Sequence, residues 1–215
     1  GAVNITRGDL ERLQPGKYLN DTLIEFGLKL WLNDLRDCDP ELADQIHLFS
    51  SFFYKKLAIK DKRAGYESVR KWTSRVDVFS KRYLVVPINE HLHWYLAIIY
   101  QPEYTTNQSQ NGGRRTNSDG RNHQAGRAGN HTYIFVFDSL NGKHPGAMKN
   151  LVQYLRFEAT DKKGIDNPSS PEAMAAHVPT QDNYCDCGLY LLHFAKVFME
   201  DPVKSFNTIL VGSLS

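Results

Sequence analysis

The chain has 215 residues, a net charge of +2, 41% hydrophobic and 23% charged residues. That is enough apolar material for one core at the length of one domain, and the near-neutral balance makes no case for a nucleic acid or a membrane surface as partner. Its longest apolar run, residues 94–100, is strand-sized and far short of a membrane span. The cysteines are Cys38, Cys185 and Cys187. An odd number with no secretory signal ahead of it is expected of a reducing compartment, nucleus or cytosol. Cys185-Asp-Cys187 lacks the second ligand pair of a zinc site, so neither a metal nor another cofactor is expected.

In chain order, Pro15-Gly16 marks a turn, Asn20 an N-cap, and Asp21 a first-turn position where the helix dipole favours a carboxylate. Leu23, Ile24, Gly27, Leu28, Leu30 and Trp31 follow at helical spacing. Residues 47–57 read as a loop and a helical turn, and residues 69–72 as part of a short helix. Residues 83–88 are β-branched strand material, with Pro87 pointing to a strand end. Residues 94–100, nearly all apolar, describe a central strand. Residues 101–131 are Asn, Gln, Gly, Ser and Arg with hardly an apolar side chain, too little burial to offset ordering entropy. We expect a flexible insert there, with Arg114, Arg115, Arg121 and Arg127 solvated. A strand resumes at 132–137. Met148, Leu151, Val152 and Leu155 mark an amphipathic helix. Residues 159–173 read as a loop, and residues 189–198, apolar almost all round, as a buried central helix that begins near Cys187.

The two consecutive strands 94–100 and 132–138 pair most simply as an antiparallel hairpin with the insert as its loop. That sets the start of the first beside the end of the second, so His93 and Asp138 become neighbours. A carboxylate there holds an imidazole in one tautomer and stabilises its charged form. Cys187 opens the last helix, where the helix N-terminus and an adjacent histidine both favour the thiolate. Gln181, in the polar loop before it, is placed to donate to the oxyanion of an acyl-transfer intermediate. Taken singly, each residue has a bland reading: a structural cysteine, a turn aspartate, a solvated glutamine. Their combination is what points to nucleophilic catalysis. His91 shares the strand parity of His93 and is the rival base. His193 turns away from the thiol as a packing residue, and Cys185 is an inert neighbour.

The stretch Gln181-Asp-Asn-Tyr-Cys-Asp-Cys-Gly188 resembles the Gln-x-Asn-x-x-Asp-Cys-Gly signature of the ubiquitin-like-protein-specific cysteine proteases, the sentrin/SUMO protease family. Val86-Pro-Ile-Asn with His93-Trp94, Phe137-Asp138-Ser139, Tyr18-Leu-Asn-Asp21 and Ser50-Ser-Phe-Phe-Tyr54 resemble its other segments. The resemblance implies an α+β, papain-like (adenoviral-protease-like) fold, with a Cys-bearing central helix packed on a mixed sheet carrying His and Asp. It implies His93, Asp138 and Cys187 as triad, Gln181 as oxyanion donor, and Trp94 in a narrow tunnel around the substrate's Gly-Gly tail. Tyr18 matches a second aromatic wall that is usually Trp. Asp21 matches a carboxylate that pairs with a basic residue of SUMO; a helix-dipole partner is the equal alternative. Tyr184 in place of Gly, and the insert, resemble the chain-editing branch, which trims poly-SUMO chains. SUMO, SUMO conjugates and poly-SUMO chains are thus the expected partners of an enzyme expected to be monomeric and nuclear. At about 3.3 Å per residue the insert lies about 23 Å from the catalytic end, too far to act as a lid. The other readings are a protease for NEDD8 or ubiquitin on the same fold, a non-catalytic SUMO-binding module, and an acyltransferase, which would need a phosphate cradle that the sequence does not offer.

Overall fold

The computed structural model describes residues 3–108 and 130–212. Its centre is a five-stranded mixed sheet in the order β1-β2-β3-β4-β5. β1 (Ile46–Leu48) runs parallel to β2 (Tyr83–Glu90); β2, β3 (His93–Tyr100) and β4 (Tyr133–Phe137) are successively antiparallel; β5 (Glu172–Ala175) returns parallel to β4. Side chains alternate between the two faces of the sheet, and both faces are buried. Leu96, Ile98, Phe135 and Phe137 pack on one side with Leu23, Ile24, Leu28, Leu191, Phe194 and Phe198. Tyr95, Ala97, Ile99, Ile134 and Val136 pack on the other with Phe53, Tyr66, Leu151, Tyr154 and Leu155. That double burial is why β3 reads as a continuous apolar run.

The helices form the outer layers. α1 (Arg7–Leu10) is closed by a reciprocal cap between Thr6 and Asp9. α2 (Asp21–Cys38) starts where expected: the Asn20 side chain accepts from the Leu23 N–H at 3.1 Å. α3 (Pro40–Asp44), α4 (Phe53–Leu57) and α5 (Lys62–Val69) lead into β2. α6 (Pro145–Lys163) covers one sheet face. α7 (Cys187–Glu200) lies on the other, followed by α8 (Pro202–Gly212).

Several elements differ from the sequence reading. β1 occupies part of the expected 47–57 loop; three residues are too few for an alternation to show. The last turn of α6 and the start of β5 fall inside the expected 159–173 loop; Glu172-Ala-Met-Ala175 has weak strand preference and becomes a strand by pairing with β4. Pro87 sits inside β2, opposite Leu96, rather than at its end. The two-residue turn makes Glu90 and His93 a hydrogen-bonded pair, so residue 87 directs its nitrogen away from β3, to the side where β1 has already ended. The missing N–H therefore breaks no ladder bond. The first residues of the expected insert are ordered. Residues Pro102–Thr106 form a 3-10 helix with Pro102 and Thr105 buried, and Thr105 donates to Thr132 Oγ1 at 3.0 Å. Residues 109–129, with all four arginines named above, lie outside the described residues. α7 is not buried all round: Leu189 is 51% and Val197 43% exposed, and His193 is exposed rather than packed inside.

The β2–β3 turn carries two non-glycine residues in the left-handed region, His91 (φ 52°) and Leu92 (φ 65°), with Leu92 80% exposed. This is the type I′ geometry that Asn-Gly supplies at least cost. Replacing both (His91→Asn with Leu92→Gly) is expected to raise unfolding stability by about 1 kcal/mol. Urea denaturation with an unchanged m-value checks it.

Candidate active site

The β3–β4 register ends at Leu96↔Phe137, so Asp138 emerges opposite Tyr95 and His93 lies two residues along on the same face. Such diagonal neighbours are within side-chain reach, and His93 Nε2 meets Asp138 Oδ1 at 2.5 Å. The tight turn after β4 folds its own backbone onto the same carboxylate. The Leu140 N–H donates to Oδ1 and the Gly142 N–H to Oδ2, each at 2.8 Å. His144 Nε2 reaches Oδ2 at 2.7 Å. Burial favours the neutral acid, but the bonds from His144, His93 and Leu140 outweigh it and hold Asp138 ionised, well below the usual carboxylate range. An ionised carboxylate only accepts, so both imidazoles present Nε2–H to it.

With Nε2 of His93 committed to Asp138, Nδ1 is the nitrogen left to face Cys187, whose proximity helps to raise the imidazole. Cys187 is the first residue of α7 and buried. Burial pushes its thiol up; the bond to His93, the Trp94 and Gly188 backbone N–H groups and the His93 charge outweigh that, leaving its pKa lowered. For His93, burial opposes the charge, while the bonds to Asp138 and Cys187 prevail and push it up to about 9. Both shifts favour a thiolate–imidazolium pair. Gly188 lets the start of α7 come this close: a Cβ there would lie 3.0 Å from Leu19 and 3.1 Å from Ile24.

Gln181 is buried beside this group. Its backbone N–H donates to Ser139 O at 2.9 Å, and the Ser139 hydroxyl donates to Gln181 Oε1 at 2.6 Å. That contact fixes which end of the amide is the donor. Nε2 gives one hydrogen to Asn183 O at 2.5 Å, which leaves the second free in principle for an oxyanion. Asn183 in turn shapes the loop, accepting from the N–H groups of Cys185 (2.9 Å) and Asp186 (3.0 Å) on its side-chain oxygen.

The structure thus joins His93 to Asp138 by a hydrogen bond, sets Cys187 next to His93, and places Gln181 beside them through Ser139. Trp94 is buried, its indole N–H donating to Leu19 O at 2.9 Å, so the ring lies beneath the Tyr18-Leu19 segment. Tyr18 is 42% exposed. Asp21 is half-buried in the first turn of α2, and Tyr184 stands out beside the thiol loop. His91 lies in the exposed turn, which removes it as the rival base. Cys185 points to Asn183 and Asp186. Sequence reasoning named Ser139 within the Phe137-Asp138-Ser139 segment without giving it a role, and missed Gly142 and His144 as parts of the site. The Asn141-Gly142 pair is a visible turn signal, yet nothing in it says that its backbone aims at a carboxylate.

A model of the Ulp1 protease family, C-terminal catalytic domain, matches residues 17–213. The chain belongs to that family. It is 40% identical over 226 residues to ubiquitin-like-specific protease 2 of Schizosaccharomyces pombe, covering 99% of this chain and 35% of that protein. It is 31% identical over 257 residues to sentrin-specific protease 7 of Mus musculus, covering 96% of this chain and 25% of that protein. The chain therefore spans about a third or less of the length of these curated relatives. Among solved structures, a de-sumoylating protease superposes with a TM-score of 0.81 at 27% identity, covering 98% of this chain and 73% of that one. The Ulp1 C-terminal protease domain in complex with Smt3, the yeast ortholog of SUMO, gives 0.62 at 25% identity, with 91% and 72% covered.

In this Ulp1-family domain the raised value of His93 fixes a pH window. The ion-pair contribution is complete below the ordinary histidine value of 6.5 and is lost as pH rises through about 9. Catalysis that needs the imidazolium is therefore expected to hold kcat/KM on a plateau through pH 8 and to fall with a midpoint near 9. A pH–rate profile with a basic limb centred near 7 would contradict it.

Proposed function

We propose that this chain is a SUMO-specific isopeptidase that hydrolyses the bond after the C-terminal Gly-Gly of SUMO, acting on SUMO–SUMO linkages in poly-SUMO chains. The observation that carries the reading is the row Asp138–His93–Cys187, in which a buried carboxylate and a protonated imidazole face a thiol at a helix N-terminus. The family match and the relatives' names support the protease class and the modifier. In the proposed reaction the Cys187 thiolate attacks the terminal glycine carbonyl, and the second Gln181 N–H stabilises the oxyanion. His93 gives its proton to the departing lysine amine, and Asp138 keeps the imidazole in place throughout. A water that surrenders one proton to His93 then releases the glycine carboxylate, its other proton passes to solvent, and the thiolate–imidazolium pair is restored.

In this reading the Tyr18-Leu19 segment, held from below by the Trp94 indole, borders the path of a tail without side chains. Asp21, at the start of α2, serves in this reading as a carboxylate for a basic patch of the modifier, and Tyr18 as the exposed wall. The same chemistry on a NEDD8 or ubiquitin tail is the second reading, because surface contacts rather than the triad choose the modifier.

Tail-reactive probes made from SUMO, NEDD8 and ubiquitin separate the two. SUMO labelling alone is expected, lost in Cys187→Ala, together with shortening of poly-SUMO chains by the unmodified protein. Labelling by the other probes in preference would move the substrate. Cleavage that survives Cys187→Ala would remove the mechanism.

A further inference from the structure

The least expected feature of the site is its second histidine. Asp138 has two oxygens, and each receives one imidazole and one backbone N–H: His93 and Leu140 on Oδ1, His144 and Gly142 on Oδ2. The ring nitrogens of His93 and His144 and a carboxylate oxygen of Asp138 lie within 4.8 Å of one another. Three local departures from what the chain would otherwise prefer share one outcome, the aim of the His144 ring. His144 is the residue before α6, where Ser, Asp or Asn would cap the helix, and it makes no side-chain cap bond. Its backbone is left-handed, φ 44°, ψ 50°, a conformation that costs a side-chain-bearing residue about 1–2 kcal/mol. Residue 142 must also lack a Cβ, which would lie 2.4 Å from Asp138 Oδ2 and 2.6 Å from His144 Nε2. Local stability forgone at one point is the mark of a functional constraint.

The ring is also braced from behind. It stacks on Tyr95 at 3.7 Å between centroids and 14° between planes. The Tyr95 hydroxyl donates to Glu90 at 2.5 Å, and Glu90 accepts from Tyr54 at 3.2 Å. Asn150 of α6 donates to the same Tyr54 hydroxyl at 3.0 Å. Glu90 pairs with His93 across the turn, so this chain of contacts begins and ends beside the expected base.

We propose that His144 is a positioning residue for the carboxylate: its Nε2–H locks the rotation of Asp138 so that Oδ1 faces His93, and it takes up half of the charge that would otherwise fall on that imidazole. The proposal rests on the reading of Asp138 and His93 as triad members. The titratable groups facing His144 are Asp138 after β4, His93 and Tyr95 of β3, and behind Tyr95 the Glu90 of β2 and Tyr54 of α4; Cys187 of α7 lies beyond His93. Without the second donor, Asp138 turns more freely and pulls harder on the His93 proton.

Two variants separate the hydrogen bond from the stack. His144→Phe keeps an aromatic ring on Tyr95 and removes the donor; His144→Gln restores a donor at a similar reach. With a SUMO-tail fluorogenic substrate, His144→Phe is expected to lower kcat about tenfold, leave KM within about twofold, and move the basic limb of kcat/KM to higher pH. His144→Gln is expected to recover most of kcat and return the limb towards wild type. Iodoacetamide alkylation of Cys187 at neutral pH, which needs no substrate, stays fast in both. Unchanged kcat and limb in His144→Phe, or equal losses in both variants at unchanged melting temperature, would overturn the proposal. A wild-type Cys187 that alkylates no faster than a free thiol would instead overturn the triad reading, and the proposal with it.

Discussion

Asp138 is 4% exposed and ionised, and what makes that tolerable is the convergence of four donors on its two oxygens. A buried carboxylate without partners would cost several kcal/mol or take up a proton. Here its charge is used to fold the β4–α6 turn, to anchor the His93 imidazole, and through it to favour the thiolate of Cys187. The shifts of the three groups are linked: the depression of Asp138, the elevation of His93 and the lowering of Cys187 are one charge distribution seen from three atoms.

The sheet brings these atoms together by an offset between its faces. His93 belongs by parity with Tyr95 and Ala97, which face α4, α5 and α6, whereas α7 packs on the opposite face over Leu96 and Ile98. Thiol and imidazole can meet only where β3 begins, past the edge of the packed layers. There the Trp94 indole anchors Leu19, and the nearby Trp94 backbone N–H helps to lower the thiol. The site is thus built at the rim of a sheet buried on both faces. A rigid core below and a loop-lined opening above suit the placement of a reacting group.

The parts legible in the sequence are those that follow from short-range rules. Asn20 could be read as a cap because its side chain answers its own helix, and Cys187 as a helix start because the apolar run begins there. The approach of His93 to Asp138 followed from pairing two strands, since an antiparallel register converts sequence distance into proximity. Contacts that depend on turn geometry were not legible. Gly142 and His144 reach Asp138 because the backbone reverses within four residues, and no residue pattern encodes the aim of a ring at φ 44°. Trp94 has the composition of a substrate wall, yet it is buried under Leu19, a placement set by the long-range approach of the α2 entry to β3. The short strands β1 and β5 escaped because they are strands by pairing rather than by preference.

The central claim, that the Asp138 charge reaches Cys187 through His93, is tested most directly by ultraviolet thiolate absorbance as a function of pH in the wild type and in Asp138→Asn, with Cys38 and Cys185 replaced by Ser in both. The account predicts that the wild-type thiol ionises below the ordinary thiol value and that its ionisation is displaced back towards that value in Asp138→Asn. Identical titration curves in the two proteins would contradict it.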